Sequence, residues 1–516
     1  MTDPSPSTAE VGFQSAFEMR GVLEQGSITS LEIVKTLLRR VEEADTRGPA
    51  LHAVVATCPD GIETAQILDA ERRQGRVRGP LHGVPALVKD NIDTAGAEGT
   101  TAGSLALAVS RPRVDATVVK RLREAGVIVI AKANLSEWAN FRDKHSSSGW
   151  SATGGQCLNP HVLDRSPGGS SSGSCAGVAG GFAPLAVGTE TDGSILCPAA
   201  LNGAVGIKPT VGLTSRAGVV PISSSQDTVG PIARSVAEAA ALLGVLAGCG
   251  SGADLLDPAT MTRPSSLPKD YTVFCDHDGL SGVRIGIPRR HYFGYSPEAD
   301  ALVEAALQLA QGAGAVMVDP ADVVTAGTIA QSGDEMTVML HEYKAGVEAY
   351  LATRPSAAEQ PRTVAEIVAF NRDHEADELA LFGQDILLAA CAVGDLDNPA
   401  YLEARARNQR RARQDGIDAA LQGARAEVLA FPTMGPAWRI DHVNGDPHNR
   451  AGYQAAAVAG YPAISLPVGK AGGLPVGLCL VGTAWSEPTL IRVAFALEQR
   501  LALGREMRPT WRSRIA

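Results

Sequence analysis

Apolar residues recur at helical spacing early in the chain. In residues 29–45 an apolar side chain recurs at every third or fourth position, which is typical of an amphipathic helix. Thr29 followed by Glu32 matches a capping box, so we expect the helix to begin at that point. A second helical pattern covers 60–74 and stops at Gly75. This part of the chain is therefore predicted to be helical.

Helices and strands then alternate. Residues 81–93 have the pattern of a turn that leads into a short buried strand. A helix is predicted over 117–125, Gly126 closes it, and the run VIVIA at 127–131 is typical of a strand. Because helix and strand follow each other at this spacing, the pattern predicts an α/β sheet covered by helices.

The same alternation returns in the second half of the chain. A long polar connection is predicted over 250–270 and a mostly helical region over 335–422. The other predicted elements are helices at 237–246 and 296–314, and strands at 283–288, 315–319, 463–469 and 477–482. No stretch cuts the chain in two, so we expect one large domain over residues 1–516 with a mostly helical insertion at 335–422.

The composition is that of a globular protein and disfavours several kinds of partner. The 516 residues are 45% hydrophobic and 20% charged, which leaves ample apolar material for a core. The formal net charge of −10 comes without a basic block, so nucleic acid and anionic membrane surfaces are disfavoured as partners. No apolar run is long enough to predict a membrane span.

The cysteines and the first residues bear on the cellular compartment. Eight cysteines are scattered without a C-x-x-C pair, at positions 58, 157, 175, 197, 249, 275, 391 and 479. This distribution favours free thiols in a reducing compartment. The start, MTDPSPSTAEVGF, has neither the basic nor the apolar segment of a signal peptide. We therefore expect a cytoplasmic protein.

Three familiar kinds of site find no support in the sequence. The Gly/Ser-rich part of the chain lacks the lysine of a phosphate-binding loop, and the ten histidines include no H-E-x-x-H pair. The string TDGSI around Ser194 is not a G-x-S-x-G elbow. A Ser/His/Asp triad stays open, although no histidine lies in a glycine-rich turn. We expect neither a metal ion nor another cofactor.

One lysine and several serines remain as candidates. Residues 166–198 contain two Gly/Ser-rich turns around a segment of small apolar residues. Because glycine and serine have little or no side chain, we expect the backbone here to lie close to another part of the molecule or to a ligand. Lys89 ends an apolar run, where burial would favour its uncharged, basic form. The alternatives are a structural lysine paired with Asp90 or Asp93, and serines that only form turns.

Five segments of the chain, taken together, resemble a known family. They are GPLHGVPALVKDNID, KANLSEWANF, PGGSSSGSCAGVAGGFAPLAVGTETDGSILCPAALNGAVGIKPT, TVGPIARS and AAVAGYPAISLPVG. Their combination resembles the amidase signature of the Ser–cis-Ser–Lys amidohydrolases, over roughly residues 30 to 490. The resemblance implies the α/β fold of that family, a mixed central β-sheet with helices on both faces.

The resemblance also implies a role for each candidate residue. Lys89 matches the lysine of the family, Ser170 the serine that follows a cis peptide bond, and Ser194 the nucleophile. A neutral Lys89 would take the proton of Ser194 through Ser170, and water would then cleave the acyl-enzyme. The backbone N–H groups that would form the oxyanion hole are those of Thr191, Asp192, Gly193 and Ser194.

The signature departs from its commonest form at three positions. Glu190 stands in place of an aspartate, Asp192 in place of a glycine and Leu196 in place of an arginine. The string TETDGSI followed by CPAA, together with NLSEWANF, is similar to that of the bacterial peptide amidases. The resemblance therefore implies an amidohydrolase that removes the C-terminal amide of peptides as ammonia. Its expected substrate is a peptide amide or a small-molecule amide.

Four residues are candidates for contact with the substrate. Asp192 would accept a hydrogen bond from the substrate or merely cap a turn. Trp438, Tyr343 and Phe382 would line a cleft that the helical insertion helps to wall. Aromatic residues in helices more often belong to the core, which is the interpretation we favour.

Two other functions stay open. A broader aryl- or alkyl-amidase, with esterase or carbamate-hydrolysing activity, would use the same acyl-enzyme. A non-catalytic scaffold subunit would keep the fold alone, and the joint retention of Lys89, Ser170 and Ser194 argues against it. We expect a monomer or a homodimer.

Overall fold

Strands form along the chain at runs of apolar and β-branched residues. The computed structural model describes residues 8–96, 98–248, 252–355, 360–447 and 452–514. Thirteen strands lie within these ranges: β1 (Val54–Thr57), β2 (Pro85–Lys89), β3 (Ile128–Ala133), β4 (Trp150–Ser151), β5 (Gly155–Gln156), β6 (Leu185–Glu190), β7 (Val205–Lys208), β8 (Thr228–Ala233), β9 (Arg284–Gly286), β10 (Val316–Val318), β11 (Val428–Pro432), β12 (Ala463–Ala471) and β13 (Leu474–Val481).

Most of these strands join one large mixed sheet. Over the described ranges, eleven strands pair in the order β1-β3-β2-β6-β8-β7-β12-β13-β11-β9-β10, while β4 and β5 form a separate pair. Neighbours run parallel in β3-β2-β6 and in β11-β9-β10, and antiparallel elsewhere. The predicted α/β fold with a mixed central sheet is confirmed.

Helices cover the sheet. The described residues contain these α-helices: α1 (Thr8–Gly12), α2 (Ala16–Glu24), α3 (Ser30–Val41), α4 (Asp60–Arg73), α5 (Leu105–Ala108), α6 (Thr117–Glu124), α7 (Ser172–Gly180), α8 (Leu196–Asn202), α9 (Val236–Ala247), α10 (Pro297–Gly312), α11 (Ala326–Gln331), α12 (Asp334–Thr353), α13 (Val364–Asp373), α14 (Glu375–Glu378), α15 (Asp385–Ala392), α16 (Pro399–Ala412), α17 (Asp418–Ala424), α18 (Gln454–Ala459) and α19 (Glu487–Leu501).

Several predicted helices agree closely with the structure. The capping box of α3 is present, because the Glu32 N–H donates to Thr29 Oγ1 at 3.2 Å and the Thr29 N–H donates to Glu32 Oε2 at 2.8 Å. The helices predicted at 60–74, 117–125, 237–246 and 296–314 correspond to α4, α6, α9 and α10. Gly126, with φ of +78°, ends α6 as predicted.

The core lies on both faces of the sheet. Val88 and Leu87, neighbours in β2, belong to two different hydrophobic clusters, as alternate side chains of a strand should. The cluster around Val88 takes in side chains of α6, α9, α10 and α19, and the cluster around Leu87 takes in those of α3, α4 and α7. The strand β2 is thus buried on both sides, which fixes the position of Lys89 at its end.

Two predicted regions lie only partly within the described ranges. Helices α12 to α17 occupy much of the predicted helical region, and its described residues contain no strand. Its share in a substrate cleft stays a prediction. The predicted connection at 250–270 contains a 3-10 turn at Pro258–Thr262, and its first two residues, like Cys249, lie outside the described ranges.

The sequence predicts free thiols and no membrane span. Among them, no helix combines the length and the apolar character that a membrane crossing requires. The seven cysteines that lie in the described ranges are free thiols. Five of the seven are buried, and buried thiols behave mainly as small apolar side chains.

Candidate active site

The predicted catalytic residues lie in segments that meet at one edge of the sheet. Lys89 is the last residue of β2, and the parallel neighbouring strand β6 ends at Glu190. Ser170 stands just before α7, and Ser194 stands between β6 and α8. In α/β folds the carboxyl ends of parallel strands gather ligand-binding residues. Strand order therefore places these segments side by side.

The amino group of Lys89 is enclosed by neutral partners. Its Nζ lies 2.7 Å from Ser170 Oγ, 2.8 Å from Thr189 Oγ1 and 3.3 Å from the Thr189 carbonyl oxygen. The side chain has no exposed surface. Burial lowers the pKa of Lys89 from 10.5 to about 7. A large fraction of this lysine is therefore an uncharged base at neutral pH.

Neither of the nearby aspartates pairs with Lys89. Asp90 accepts a hydrogen bond from the Thr101 hydroxyl and lies 3.6 Å from Lys132 Nζ. Asp93 accepts from the Tyr350 hydroxyl at 2.7 Å and faces Arg354 at 3.4 Å. The interpretation of Lys89 as a structural lysine paired with Asp90 or Asp93 is therefore wrong.

The turn that carries Ser170 is tightly enclosed. The peptide bond between Gly169 and Ser170 is cis. A Cβ on Gly169 would lie 2.2 Å from Ser136 Oγ, so only glycine fits there. The Ser171 N–H donates to the Ser194 carbonyl oxygen at 3.0 Å. This hydrogen bond joins the two serine turns directly.

Ser194 is nearly buried, and its hydroxyl is not engaged. The residue is 7% exposed. In the part of the chain that the structure describes, its Oγ forms no hydrogen bond, whereas Ser170 Oγ is held by Lys89. The first link of the predicted relay is therefore present, and the link between the two hydroxyls is not made in this structure.

The backbone around Ser194 offers free donors. The N–H groups of Thr191, Asp192 and Ser194 form no hydrogen bond with another described residue. The Gly193 N–H instead faces the Glu190 carboxylate. A hydroxyl that attacks a carbonyl carbon turns the carbonyl oxygen into an oxyanion, and unpaired N–H groups nearby can stabilise that negative charge. Three of the four predicted oxyanion-hole donors are thus available, and that of Gly193 is directed elsewhere.

Glu190 anchors the turn that carries Ser194, a role that the sequence analysis missed. Its Oε2 accepts hydrogen bonds from the N–H groups of Ile195 and Leu196 at 2.8 and 2.9 Å. These two groups begin α8, so the carboxylate satisfies donors that a helix leaves free at its start. Burial raises the pKa of Glu190, and the buried amino group of Lys208 opposes that rise. A carboxylate a few residues before a helix was the available signal.

Tyr453 covers the same turn and was also missed. Gly193 has a φ of +82°, and a Cβ there would lie 2.1 Å from Cε2 of the Tyr453 ring. Burial raises the pKa of the Tyr453 hydroxyl well above its usual value. Position 193 is restricted to glycine by backbone conformation and by this ring. Because Tyr453 is remote in sequence, no local pattern points to it.

Asp192 is the remaining polar side chain of the turn. Its Oδ1 is buried and has no hydrogen-bond partner. Its carboxylate caps no backbone N–H among the described residues, so the turn-capping interpretation has no support. Burial raises the pKa of Asp192 well above its usual range, and the carboxylates of Glu335 and Glu190 raise it further. The predicted contact with a substrate stays a prediction.

Trp438 is the predicted aromatic residue that lies next to the nucleophile turn. It packs in a small cluster with Cys197 and Tyr453. Its Nε1 donates to Asp446 Oδ1 at 2.9 Å, and the other oxygen of Asp446 accepts from the Ser148 N–H at 3.0 Å. The half-buried indole is therefore fixed in place beside the turn, and its contact with a substrate stays a prediction.

The other two aromatic candidates are core residues. Tyr343 has no exposed surface and packs against Phe141 with ring centroids 5.0 Å apart. Phe382 is 9% exposed and lies 4.0 Å from the Arg142 guanidinium. This burial favours the core interpretation, and the contact of Tyr343 and Phe382 with a substrate stays a prediction.

Among the described residues, no set of metal ligands gathers at the candidate site. Within the described ranges, one group of three ligand-type side chains gathers elsewhere, formed by Cys58, Asp60 and Glu98. Arg123 donates to Asp60 at 2.8 Å, and this guanidinium already balances the carboxylate. The groups present around Ser194 are hydroxyl, amine, carboxyl and backbone N–H groups.

Comparison with known proteins agrees with this geometry. A sequence model described as Amidase matches residues 32–491. The X-ray structure of native peptide amidase from Stenotrophomonas maltophilia is 48% identical in sequence and superposes with a TM-score of 0.89. That match covers 95% of this chain and 97% of the other. The shared fold is a single α/β domain.

Sequence relatives extend over the same length. A probable amidase of Arabidopsis thaliana is 37% identical over 96% of this chain and 91% of its own. One subunit of the glutamyl-tRNA(Gln) amidotransferase of Symbiobacterium thermophilum is 35% identical over 96% of this chain and 98% of its own. The chain therefore belongs to the amidase family, hydrolases that act on C–N amide bonds.

Proposed function

We propose that this chain hydrolyses the C-terminal amide of peptides and releases ammonia through an acyl-enzyme on Ser194. The similarity to the peptide amidase of Stenotrophomonas maltophilia, 48% identity over 95% of the chain, supports the substrate class. The string TETDGSI, which departs from the commonest signature at Glu190 and Asp192, supports it too. A carboxamide that loses ammonia is the simplest substrate that such a site would accept.

One observation carries the proposed chemistry. The buried amino group of Lys89 has no carboxylate partner and lies 2.7 Å from Ser170 Oγ. A lysine that is held among neutral groups loses its proton far more readily than one in water. A scaffold that only kept the fold would have no need for such an arrangement. Lys89 is therefore assigned as the base and Ser170 as the group that passes the proton.

The first half of the reaction forms the acyl-enzyme. The Ser194 oxygen forms a bond to the amide carbon while its proton passes to Ser170, and the Ser170 proton passes to neutral Lys89. The Ser194 side chain has no hydrogen bond to break, so it is free to rotate towards Ser170 when the substrate binds. In free enzymes such hydrogen bonds are often open and close only with substrate present.

The tetrahedral intermediate then collapses. Its oxyanion is stabilised by the free N–H groups of Thr191, Asp192 and Ser194, each worth about 3 kcal/mol in comparable sites. The proton returns through Ser170 to the nitrogen, the C–N bond breaks and ammonia leaves. Water then attacks the acyl carbon by the same proton path, and the peptide acid leaves with Ser194 restored.

The direct test is a measurement of ammonia release. The substrates are amidated peptides, with the matched free acids as blanks and the matched anilides and ethyl esters as competitors. We expect kcat/KM to be highest for the peptide amides. Equal or faster turnover of anilides or esters would replace the peptide amidase assignment by that of a broader amidase or esterase. Absence of turnover across the whole panel would overturn the assignment of hydrolase activity.

Two variants test the catalytic assignment separately. Ser194→Ala removes the nucleophile and Lys89→Ala removes the base, so we expect each to lower kcat by about 10³-fold or more. Lys132→Ala is a matched control, because Lys132 is also fully buried but contacts Asp90 and the Ile92 carbonyl rather than Ser170. Per folded molecule, Lys132→Ala should retain its activity, and parental turnover by Lys89→Ala would contradict the mechanism.

A further inference from the structure

Two neighbouring residues of one tight turn hold Thr191 in place. The turn precedes β8, and in it the N–H groups of Gln226 and Asp227 both donate to the Ser223 carbonyl oxygen, at 3.2 and 2.9 Å. The Asp227 carboxylate accepts a hydrogen bond from the Thr191 hydroxyl at 2.5 Å. Gln226 Nε2 donates to the Thr191 carbonyl oxygen at 3.3 Å. The side chain and the carbonyl group of Thr191 are therefore each held by a separate residue.

The Thr191 carbonyl group bears on catalysis because it shares a peptide unit with the Asp192 N–H group. The peptide bond between the two residues is trans, so the carbonyl oxygen and the N–H point in opposite directions across one rigid plane. A hydrogen bond that fixes the oxygen on the side of Gln226 therefore fixes the N–H on the other side. The Asp192 N–H is one of the unpaired donors near Ser194. Its direction thus depends on Gln226.

The amide group of Gln226 donates from one end only, and its surroundings decide which end faces the turn. Gln226 and Glu335 are both buried, and Oε1 of Glu335, on α12, accepts from Gln226 Nε2 at 2.8 Å. A carboxylate and a backbone carbonyl both accept, and the two N–H bonds of one amide nitrogen satisfy both. In the flipped orientation the amide oxygen would face two acceptors. Glu335 therefore fixes the orientation of the Gln226 amide.

Glu335 is itself held by a second amide group. Its Oε2 accepts from Gln454 Nε2 at 2.7 Å, and Gln454 begins α18 directly after Tyr453. The ring of Tyr453 covers Gly193. Glu335 is thus fixed between two segments that both contact the turn that carries Ser194.

We propose that Gln226 is a positioning residue for the oxyanion hole, with Glu335 as its support. Gln226 holds the Thr191 carbonyl oxygen, so that the Asp192 N–H is directed at the substrate oxygen on which negative charge develops. A donor that is already aligned stabilises the transition state without reorganisation. The inference rests on the proposed function and deepens it, because it explains how one donor of that site is placed.

The first test removes the donor of Gln226 and keeps the size of its side chain. Gln226→Met has a similar length but no N–H group, so the Thr191 carbonyl oxygen loses its partner and the peptide unit can rotate. We expect kcat for N-acetyl-phenylalanine amide to fall by at least about 10-fold, since the loss of one oxyanion donor costs about 10²- to 10³-fold. KM should change by less than about threefold, because the donor acts mainly in the transition state.

Gln384→Met is the matched control for that variant. Gln384 is also buried, and its Nε2 donates to a backbone carbonyl oxygen, that of Val368 in α13, at 3.2 Å. It therefore reproduces the loss of a buried amide at a distance from the turn. Per folded molecule, Gln384→Met should keep the parental kcat.

A peptide aldehyde distinguishes the stabilisation of an oxyanion from a general loss of structure. The aldehyde carbon forms a bond to Ser194 Oγ, the Ser194 proton passes to Ser170 and Lys89, and the aldehyde oxygen becomes an oxyanion. Inhibition by N-acetyl-phenylalaninal should weaken in Gln226→Met by about the same factor as kcat. Inhibition by the matching alcohol, which forms no adduct, should stay within about threefold. Equal weakening for both compounds would overturn the inference.

Variants of Glu335 test the same donor without a change in Gln226. Glu335→Leu removes both acceptor oxygens and frees the Gln226 amide to rotate, so it should lower kcat as Gln226→Met does. Glu335→Gln keeps an oxygen for Gln226 Nε2 and should restore most of the parental kcat. Added to Gln226→Met, Glu335→Leu should lower kcat by less than a further threefold or so. Losses that multiply in the double variant would contradict the supporting role of Glu335.

Failure of this inference differs from failure of the proposed function. Unchanged kcat and unchanged aldehyde inhibition in folded Gln226→Met would overturn the inference and leave the proposed function intact. Absence of peptide amide hydrolysis by the parent would overturn the proposed function. Calorimetric binding of the aldehyde to the parent and to Gln226→Met would then still test the inference, and equal affinities would overturn it.

Discussion

Lys89 carries the clearest prediction for a single residue, because its basicity depends on burial. Its pKa is lowered to about 7, and only the uncharged form accepts a proton from Ser170. The uncharged fraction of Lys89 increases as the pH rises. We therefore expect kcat/KM to increase about tenfold per pH unit below pH 7 and to level off above pH 7. A pH profile for an N-acetylated amino-acid amide checks this. A profile that is flat through neutrality would show that Lys89 does not titrate during catalysis.

Gly193 carries a second prediction, in which conformation and space act together. Ala at this position would need a φ of +82° and would place its Cβ 2.1 Å from the Tyr453 ring. The turn must shift to relieve the contact, and the N–H groups beside Ser194 move with it. We expect Gly193→Ala to lower kcat by about 10²-fold while the protein still folds. Single-turnover kinetics, with circular dichroism for the fold, measure both.

The control for that prediction is another glycine. Gly423 lies exposed in α17, and a Cβ built on it meets no atom within 4 Å. Gly423→Ala should leave kcat unchanged and raise stability slightly, since alanine favours a helix. If both alanine variants were equally active, the tight packing around Gly193 would have no catalytic consequence.

Individual residues could be predicted from the sequence only where a motif names them. Lys89, Ser170 and Ser194 came from the signature, and the Lys89–Ser170 contact of 2.7 Å agrees with it. Glu190 was missed because α8, whose first N–H groups it accepts from, was not predicted, and Tyr453 was missed because it is remote in sequence from Gly193. Glu190 accepts from the first N–H groups of α8, and the Tyr453 ring packs directly against Gly193. A sequence motif can identify catalytic residues because the reaction requires particular side chains. It does not identify supporting residues, because their contribution depends on packing in the folded chain.

The start of α8 gives a prediction for an element. Glu190 accepts from the N–H groups of Ile195 and Leu196, and so holds the helix and the Ser194 turn in one position. Removing the carboxylate in Glu190→Ala leaves two buried donors unpaired. We expect a loss of about 2–3 kcal/mol in the free energy of unfolding. We also expect a fall in kcat, because the turn that carries Ser194 and the oxyanion donors moves.

Two other variants distinguish the effect of Glu190 on the placement of the Ser194 turn from its effect on the stability of the protein. Glu190→Gln keeps one acceptor oxygen, so its loss of stability and of kcat should be smaller than that of Glu190→Ala. Glu403→Ala removes a glutamate whose side chain is 72% exposed, and it should change neither quantity. Normal kcat in folded Glu190→Ala would limit the role of Glu190 to stability.

Helices α7 and α8 show where element prediction failed and why. Helix α7 falls in the stretch 166–198, which was predicted as Gly/Ser-rich turns because glycine and serine are poor helix formers, and α8 begins only at the end of that stretch. Yet a Cβ on Gly173 would lie 2.1 Å from the Ala53 carbonyl oxygen, and one on Gly177 would lie 2.5 Å from Leu87. The composition correctly predicted a close approach of backbone to its surroundings. It could not show that the approaching backbone is a helix, since packing overrides propensity there.

At the scale of the whole molecule, the order of the strands in the sheet could not be predicted from sequence periodicity. The pattern predicted an α/β sheet, but it did not predict that β8 would lie between β6 and β7, or that β12 would pair with β7. Those pairings join segments that are distant in the chain. They depend on which apolar faces fit each other, and only the family resemblance implied the complete fold.

A buried ion cluster ties the helical region to the rest of the molecule, and it yields the last prediction. Arg142 donates to Glu137 Oε1 at 2.6 Å and to the carbonyl oxygens of Glu378 and Phe382 at 2.5 and 3.1 Å. Its side chain has no exposed surface. Arg142→Met fills similar space but leaves the buried Glu137 without its cation, so we expect unfolding to become easier by about 3–5 kcal/mol in urea titrations.

The size of that loss should depend on the stranded charge rather than on the missing contacts alone. Burial already raises the pKa of Glu137 and Arg142 opposes the rise, so without Arg142 the carboxyl must stay buried as an acid or carry an uncompensated charge. Adding Glu137→Gln to Arg142→Met removes one of the two buried carboxylates that Arg142 faces, the other being Glu378 at 3.6 Å, so the double variant should recover part of the stability that Arg142→Met loses. Arg20→Ala, which breaks an exposed pair with Glu24, should lower stability by less than about 1 kcal/mol. If the double variant were as unstable as Arg142→Met, Arg142 would stabilise the helical region through its carbonyl hydrogen bonds or its pairing with Glu378, and not through Glu137.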